Sequence, residues 1–414
     1  MSHLTYDSTD MKHIPYYLFT FLLFTLSGCI EEFEADIPAD DAGLLVVEGT
    51  ICSSRQNTFV LSRTQPLRND QGYMAFADGW NQSPAHLIQG AVVSIRGTDG
   101  SKIEAQPANG SYTCWVDALS PDVGYYLHIE LDGEVYESEP QRPLPTESIA
   151  EVRGVQNTQE SPVDVLVTPD NPLDSNQTAY YSWTYDETWE VHADYTTIMY
   201  FDIATMMRIF QANLFPERGW KDAQGTTVTV GASTNYEGQH IEQLKIYDID
   251  RRNERIYYMY SGLVHQRAIT KAEYEYELAR RQASSEMGGL FTPQPSALPT
   301  NIHCLTSTKH VIGFIGCALN MSEYRFFLDA ADLSVDYLQR DDARLWLKAC
   351  SEADCRRQVL KGMHLCEWED NRISGGVLRT AWASESQLDV RYKGAYIEEP
   401  DFWPQDEQES YENE

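Results

Sequence analysis

The 414-residue chain has no apolar run long enough to cross a bilayer, since a spanning helix takes roughly 20 apolar residues for about 30 Å of hydrocarbon. It is also poor in cations: 31 Lys plus Arg stand against 63 Asp plus Glu, a formal charge of −32. A surface of that sign repels a phosphate backbone, whose binding rests on cationic contacts, so nucleic acid is not an expected partner. It equally opposes adsorption to anionic lipid, so attachment to a membrane calls for an anchor rather than a basic face. Catalytic signatures are missing too. There is no Gly-x-Ser-x-Gly elbow, no His-Glu-x-x-His and no glycine loop placed after a strand to cradle phosphate. No internal repeat is visible. These gaps lead us to expect neither an enzyme nor a bound cofactor.

What the chain does have begins with an apolar run over 14–26, preceded by Met11-Lys12-His13. Its 13 residues fit the apolar core of a signal peptide. The run ends in Leu26-Ser27-Gly28-Cys29, which resembles the lipobox of bacterial lipoproteins, where the cysteine thiol is acylated and becomes the mature N-terminus. Cys29 is therefore the candidate lipidation site, with Leu26, Ser27 and Gly28 as its lipobox. The first ten residues hold Asp7 and Asp10 but no Lys or Arg, unlike a signal n-region, so Met11 is the expected start. The stretch Ile30-Glu31-Glu32-Phe33-Glu34-Ala35-Asp36 is acidic and resembles the surface-export signal of Bacteroidota lipoproteins, which implies an outer-membrane anchor facing the cell exterior.

We divide the chain into a signal peptide (1–28), a lipidated acidic tether (29–43), a β-domain (44–145), a larger second domain (146–395) and an acidic tail (396–414). The class expected is all-β. In the first domain, short strands recur between turn signals without a helical period, as in an immunoglobulin-like or transthyretin-like β-sandwich. Asp132-Gly133 between two such runs suits a type I′ hairpin turn. Pro140, Pro143 and Pro145 punctuate the linker. The second domain offers strand-like stretches at 179–192, 226–231, 240–249 and 311–319. A small helical insertion is expected near 270–284, opened by Thr270 with Glu273 as a capping box. Ile249, Ile256, Tyr260 and Leu263 suggest a further helix over 248–264.

Several of these pieces together resemble a family of Bacteroidota outer-membrane lipoproteins carrying the domain of unknown function numbered four-two-four-nine. They are Leu45-Val46-Val47-Glu48-Gly49, Leu61-Ser62-Arg63-Thr64, Gly90-Ala91-Val92-Val93, Gly110-Ser111-Tyr112 and Gly124-Tyr125-Tyr126-Leu127. The second half adds Glu187-Thr188-Trp189-Glu190, Pro299-Thr300-Asn301-Ile302, Val311-Ile312-Gly313-Phe314 and Pro400-Asp401-Phe402-Trp403. Two features depart from the pattern: Cys350 and Cys355 are more widely spaced, and Thr300 stands where Gly precedes Asn-Ile. Members are commonly encoded beside TonB-dependent receptors, so the resemblance implies an accessory or binding role at such a transporter.

An exported chain meets conditions in which disulfides persist. Cys52, Cys114, Cys304, Cys317, Cys350, Cys355 and Cys366 are candidates. One set of pairings is Cys52 with Cys114, Cys304 with Cys317 and Cys350 with Cys355, leaving Cys366 alone or as partner to one of the last two; spacing does not choose the connectivity. A rival use of Cys350, Cys355, His364 and Cys366 is a zinc site, against which their irregular spacing speaks. For a ligand such as a glycan or peptide, or for a partner protein, Trp80, Trp183, Trp189, Tyr180, Tyr181 and Tyr185 form a candidate aromatic platform. The same residues at alternating strand positions equally suit a core. Glu187 and Glu190 are the candidate carboxylate pair across a sugar bond. A surface hydrolase, an adhesin or an envelope-assembly accessory are the alternatives to a transporter subunit.

Overall fold

The computed structural model describes residues 43–64, 87–170, 178–285, 298–338 and 341–404. Met11, Cys29 with its lipobox, the tether up to residue 42 and Trp80 lie outside these residues.

Strand alternation builds the first sheet. β1 (Leu45–Glu48), β2 (Thr50–Cys52) and β3 (Arg55–Arg63) are followed by β4 (Val92–Gly97), β5 (Lys102–Ala108), β6 (Ser111–Val116), β7 (Tyr125–Leu131) and β8 (Glu134–Ser138). Phe59 and Leu61 of β3, and Leu127, Ile129 and Leu131 of β7, face one core, as expected where successive side chains point to opposite faces. The β7–β8 turn has φ of 52° at Asp132 and 82° at Gly133, the left-handed pair that a type I′ hairpin needs.

Past 145 come β9 (Ile149–Gln156), β10 (Val163–Pro169), β11 (Tyr180–His192), β12 (Met199–Asp202), β13 (Met207–Phe210), β14 (Arg218–Gln224), β15 (Thr229–Ala232), β16 (Leu244–Ile249) and β17 (Met259–Ala268). Helix α1 (Lys271–Ser285) interrupts them, then β18 (Ile302–Cys304), β19 (Val311–Gly313), β20 (Gly316–Ala318) and β21 (Ser322–Asp329) follow. The protein is all-β with small helical insertions. A three-stranded sheet, β16-β10-β9, and a sheet ordered β14-β11-β17-β21, with β15 beside β11, share a second core. Val163, Val165 and Val167 of β10 enter it from one side, and Trp183, Tyr260 and Val264 from the other. A satellite holds β22 (Leu345–Lys348), α2 (Glu352–Leu360), β23 (Met363–Asp370) and β24 (Leu378–Ser384). Its small core is Cys350, Cys355, Leu365, Leu378 and Trp382, closed by Phe201 from the β12–β13 hairpin.

Three sequence expectations change. The first sheet does not stop at 145: its order is β18-β8-β7-β4-β5-β6-β3-β1-β19, so both edges come from the far half of the chain. β1 pairs with β19, and β2 with β20, in parallel, and parallel pairing requires a crossover rather than a hairpin. The helix suggested over 248–264 is instead the end of β16, a short 3-10 turn capped by Asn253, and most of β17. Its apolar spacing came from a strand whose inward face includes Gly262 and Gln266, which hide the period of two. The acidic tail begins later than 396. Tyr396 exchanges backbone hydrogen bonds with Trp220 at 2.8 and 2.9 Å, and Trp403, 3% exposed, meets the Trp220 and Phe327 rings edge-on.

Candidate functional site

β11 was the sequence's candidate ligand surface, and its alternation sorts those residues onto two faces. Tyr181, Trp183, Tyr185, Glu187, Trp189 and Val191 point to the second core. Ser182, Thr184, Asp186, Thr188, Glu190 and His192 point the other way. Four of the platform aromatics, Tyr181, Trp183, Tyr185 and Trp189, therefore pack in the core. Trp183 donates its indole N–H to Gln266 Oε1 at 2.9 Å, Tyr185 stacks on Tyr247 at 3.7 Å, and Arg255 lies 5.0 Å over Trp189. Tyr181 is buried and donates to Glu147, and Tyr180 packs on Tyr274.

The carboxylates part for the same reason, since residues three apart on a strand face opposite ways. Glu187 sits in the aromatic core, 3% exposed. Burial pushes its carboxyl up, against the pull of Arg255 and Tyr260. Arg255 Nη1 is 3.1 Å from Oε2, and Tyr260 donates to Oε1 at 3.0 Å. Burial alone would also raise Glu190, but His192 and Arg218 together hold it below the ordinary carboxylate range. The two do not form one acid/base station. A group whose pKa is raised on folding lends stability below its unfolded value, and that contribution is lost as pH rises through the folded value. Glu187→Gln is accordingly expected to gain stability on the native chain as pH climbs from about 4.5 to 7, measured by urea melts at several pH values. A constant difference across that range would refute the burial assignment.

The other face of β11 lines a cleft that the sequence reading missed. It encloses about 290 Å³ between the β1–β2 corner, β11, β17, α1 and Phe314 with Met321. At its floor Arg267 makes a two-pronged ion pair with Glu273, Nη1 to Oε2 at 3.1 Å and Nη2 to Oε1 at 2.5 Å, both side chains nearly buried. Burial works against the Arg267 cation, and Glu273 more than compensates, so the guanidinium's pKa is raised. One turn on, Arg280 pairs with Glu277 at 2.8 Å and Tyr276 joins the wall. His265 stands between Asp186 (2.9 Å) and Glu323 (3.2 Å), with the hydroxyls of Ser182 and Thr184 on the neighbouring strand. The predicted capping box at α1 is half made: Thr270 accepts from the Glu273 backbone at 3.2 Å, while the Glu273 carboxylate is spent on Arg267.

Glycines let these elements meet. A Cβ on Gly316 would lie 2.4 Å from Glu273 Oε2 and 2.6 Å from Arg267 Nη1. Gly313, at φ 142°, would place one 2.2 Å from the Val47 carbonyl. Asn301 clamps the turn between them, donating to Ile315 O and accepting from Ile315 N, each at 2.9 Å. Thr300 donates to Gly313 O at 2.8 Å, so the residue standing in place of glycine has a use of its own. The motif pieces Val47-Glu48-Gly49, Thr300-Asn301-Ile302 and Gly313-Phe314 thus converge on one junction, which is the signal that could have located the cleft.

Chemically the cleft offers donors and acceptors of both signs, with its guanidiniums already holding carboxylates. Every side-chain hydrogen bond of a His ring among the described residues goes to a carboxylate. Burial pushes Cys317 up to about 12 and also raises Cys52, which keeps these thiols at the rear of the cleft protonated. Among the described residues no group of three His, Cys, Asp or Glu is placed to hold a metal. The zinc quartet is split, with Cys350 and Cys355 in the satellite core and Cys366 packed against Ala383 and Leu388; the His364 ring meets Phe215 edge-on. The bridges proposed from sequence are not formed. All seven described cysteines are free thiols, Cys52 being opposite Ala318 of β20, Cys114 opposite Asn57, and Cys304 opposite Tyr136.

Comparison with known families gives a match over residues 30–323 to Domain of unknown function (DUF4249). The chain belongs to the DUF4249 family. The DUF4249 match takes in the whole cleft and ends at Glu323, so the satellite lies beyond it. No curated protein matches the chain. Among solved structures, a Salmonella alpha-2-macroglobulin variant is 11% identical over 56% of this chain and 14% of its own, with a TM-score of 0.16. A two-domain fibronectin type-III segment from chicken tenascin is 11% identical over 53% of this chain and 88% of its own, with a TM-score of 0.12. The chain thus spans only a small part of the first of these, and neither superposes closely enough to inform the fold.

Proposed function

We propose that this DUF4249 protein is a Bacteroidota surface lipoprotein, anchored in the outer membrane through Cys29, that serves as a non-catalytic accessory or binding subunit of a TonB-dependent transporter. The observation that carries the reading is where the family match starts: residue 30, directly after the candidate lipidated cysteine. That start favours a leader ending at Gly28 and a mature chain opening with Cys29. Binding without turnover is supported by a cleft whose charges are matched within the protein. A preorganised polar cleft can hold a ligand or a partner loop without a nucleophile.

Two measurements test this. Growth with a labelled fatty acid should mark the wild-type protein, and Cys29→Ala should abolish the label and release the protein from the membrane fraction. Affinity isolation from detergent-solubilised membranes should co-purify a TonB-dependent barrel at near-stoichiometric yield. Unlabelled wild-type protein would remove the anchor, and recovery of the lipoprotein alone would remove the transporter role. Turnover of a glycan or peptide library would favour the hydrolase, and a barrel-insertion defect on deletion would favour the assembly accessory.

A further inference from the structure

The satellite carries two thiols that the cleft and its proposed role do not use. Cys350 Sγ and Cys355 Sγ lie 3.3 Å apart. No other pair of cysteine sulfurs is hydrogen-bonded among the described residues. Both side chains are buried, Cys350 at 8% and Cys355 at 0% exposure, against Trp382, Leu365 and Leu378. Their backbones are pinned from both sides. Cys350 N donates to Leu378 O at 2.9 Å, tying it to the start of β24. Ser351 and Asp354 form a reciprocal capping box, and Cys355 N donates to Ser351 O at 3.1 Å. Ala349, at φ 56°, makes the left-handed bend that brings the end of β22 back over the first turn of α2.

We infer that Cys350 and Cys355 form a redox clip, closing to a disulfide that ties β22 to the first turn of α2 when the chain meets a disulfide oxidant. A disulfide needs its sulfurs at about 2.05 Å, a little over one ångström nearer than they stand. The oxidant is a low-molecular-weight or protein disulfide. The Cys350 thiol loses its proton and the thiolate attacks one oxidant sulfur, giving a mixed disulfide and releasing one oxidant thiolate. Cys355, once deprotonated, attacks the Cys350 sulfur and expels the second oxidant thiolate. The two protons end on the two released thiols, and the two electrons reduce the oxidant's S–S bond. The order follows from exposure, because Cys355 has no surface for a first encounter.

The full chain suits a direct test, since trypsin cleavage after Lys348 and Arg356 puts both thiols on one peptide, and cleavage after Lys361 and Arg372 puts Cys366 on another. The purified folded protein is incubated with oxidised or reduced glutathione, unfolded in the presence of an alkylating reagent, digested and weighed. Under reduction both thiols of the first peptide should be alkylated. Under oxidation that peptide should be lighter by two hydrogens, with alkylation reduced at least about tenfold, while Cys366 stays alkylated. Cys355→Ser should stall at a glutathione adduct on Cys350, and Cys350→Ser should leave Cys355 unmodified. Full alkylation of the pair after oxidation, or a link from either to Cys366, would overturn the clip. Closure in living cells rests on the export reading. A clip that closes with glutathione but is found open in cells would count against export and leave the clip standing.

Discussion

Arg267→Ala is expected to lower the unfolding free energy by about 3 to 5 kcal/mol, because it strips the partner from a carboxylate buried at the floor of the cleft. Glu273 is 4% exposed and gives both oxygens to Arg267. It cannot turn to solvent, since the bare Cα of Gly316 packs directly against the pair. The cost is that of an orphaned charge rather than of a lost attraction, so the double variant Arg267→Ala, Glu273→Gln should recover a large part of it. Urea denaturation of the four proteins of this cycle measures the coupling. A double variant as unstable as the sum of the singles would show that the pair contributes by packing alone. Because the pair joins β17 to α1 beneath β20, the single variant should also open the junction on which the motif glycines converge, before the second core melts.

Trp382→Ala should cost about 3 to 5 kcal/mol as well, the usual range for emptying a buried tryptophan site, but its consequence should be local. Trp382 is fully buried, pairs with Leu345 on one side and Leu365 on the other, and donates its indole N–H to Thr380 at 2.8 Å. It is the largest member of a core with few others, so a cavity there removes much of what holds the satellite. Hydrogen exchange should accelerate across β22, α2, β23 and β24 while β10 and β17 keep their protection. Uniform loss of protection through both major cores would mean that the satellite does not open independently.

The strands that were legible in sequence are those with one clean apolar face. β1, β3, β7 and β8 read directly, and the Asp132-Gly133 turn fixed a hairpin. β17 did not, because two inward positions are filled for reasons no periodicity expresses: Gly262 makes room for Phe326, and Gln266 answers the Trp183 indole. Nor did Trp403, which stands in an acidic stretch and whose partner Trp220 is remote in sequence. α2 carried a signal in Ser351 and Asp354 that went unused. On β11 the sequence left two uses open for the same residues. Aromatic residues at alternate positions suit a ligand platform and a core equally, and only the opposing strand β10, with Val163, Val165 and Val167, decides between them. The cleft was invisible as a site because its lining runs from Val47 to Met321. Its traces were scattered glycines and an asparagine whose meaning depends on what lies across from them.

The parallel pairing of Leu45 with Val311 sets an order of events for a chain that emerges N-terminus first. Its earliest strand waits for one of its two neighbours until most of the polypeptide has appeared, and closing so long a loop is slow. Until then β1 keeps an open flank, a template for wrong pairing that only the far half of the chain can cover.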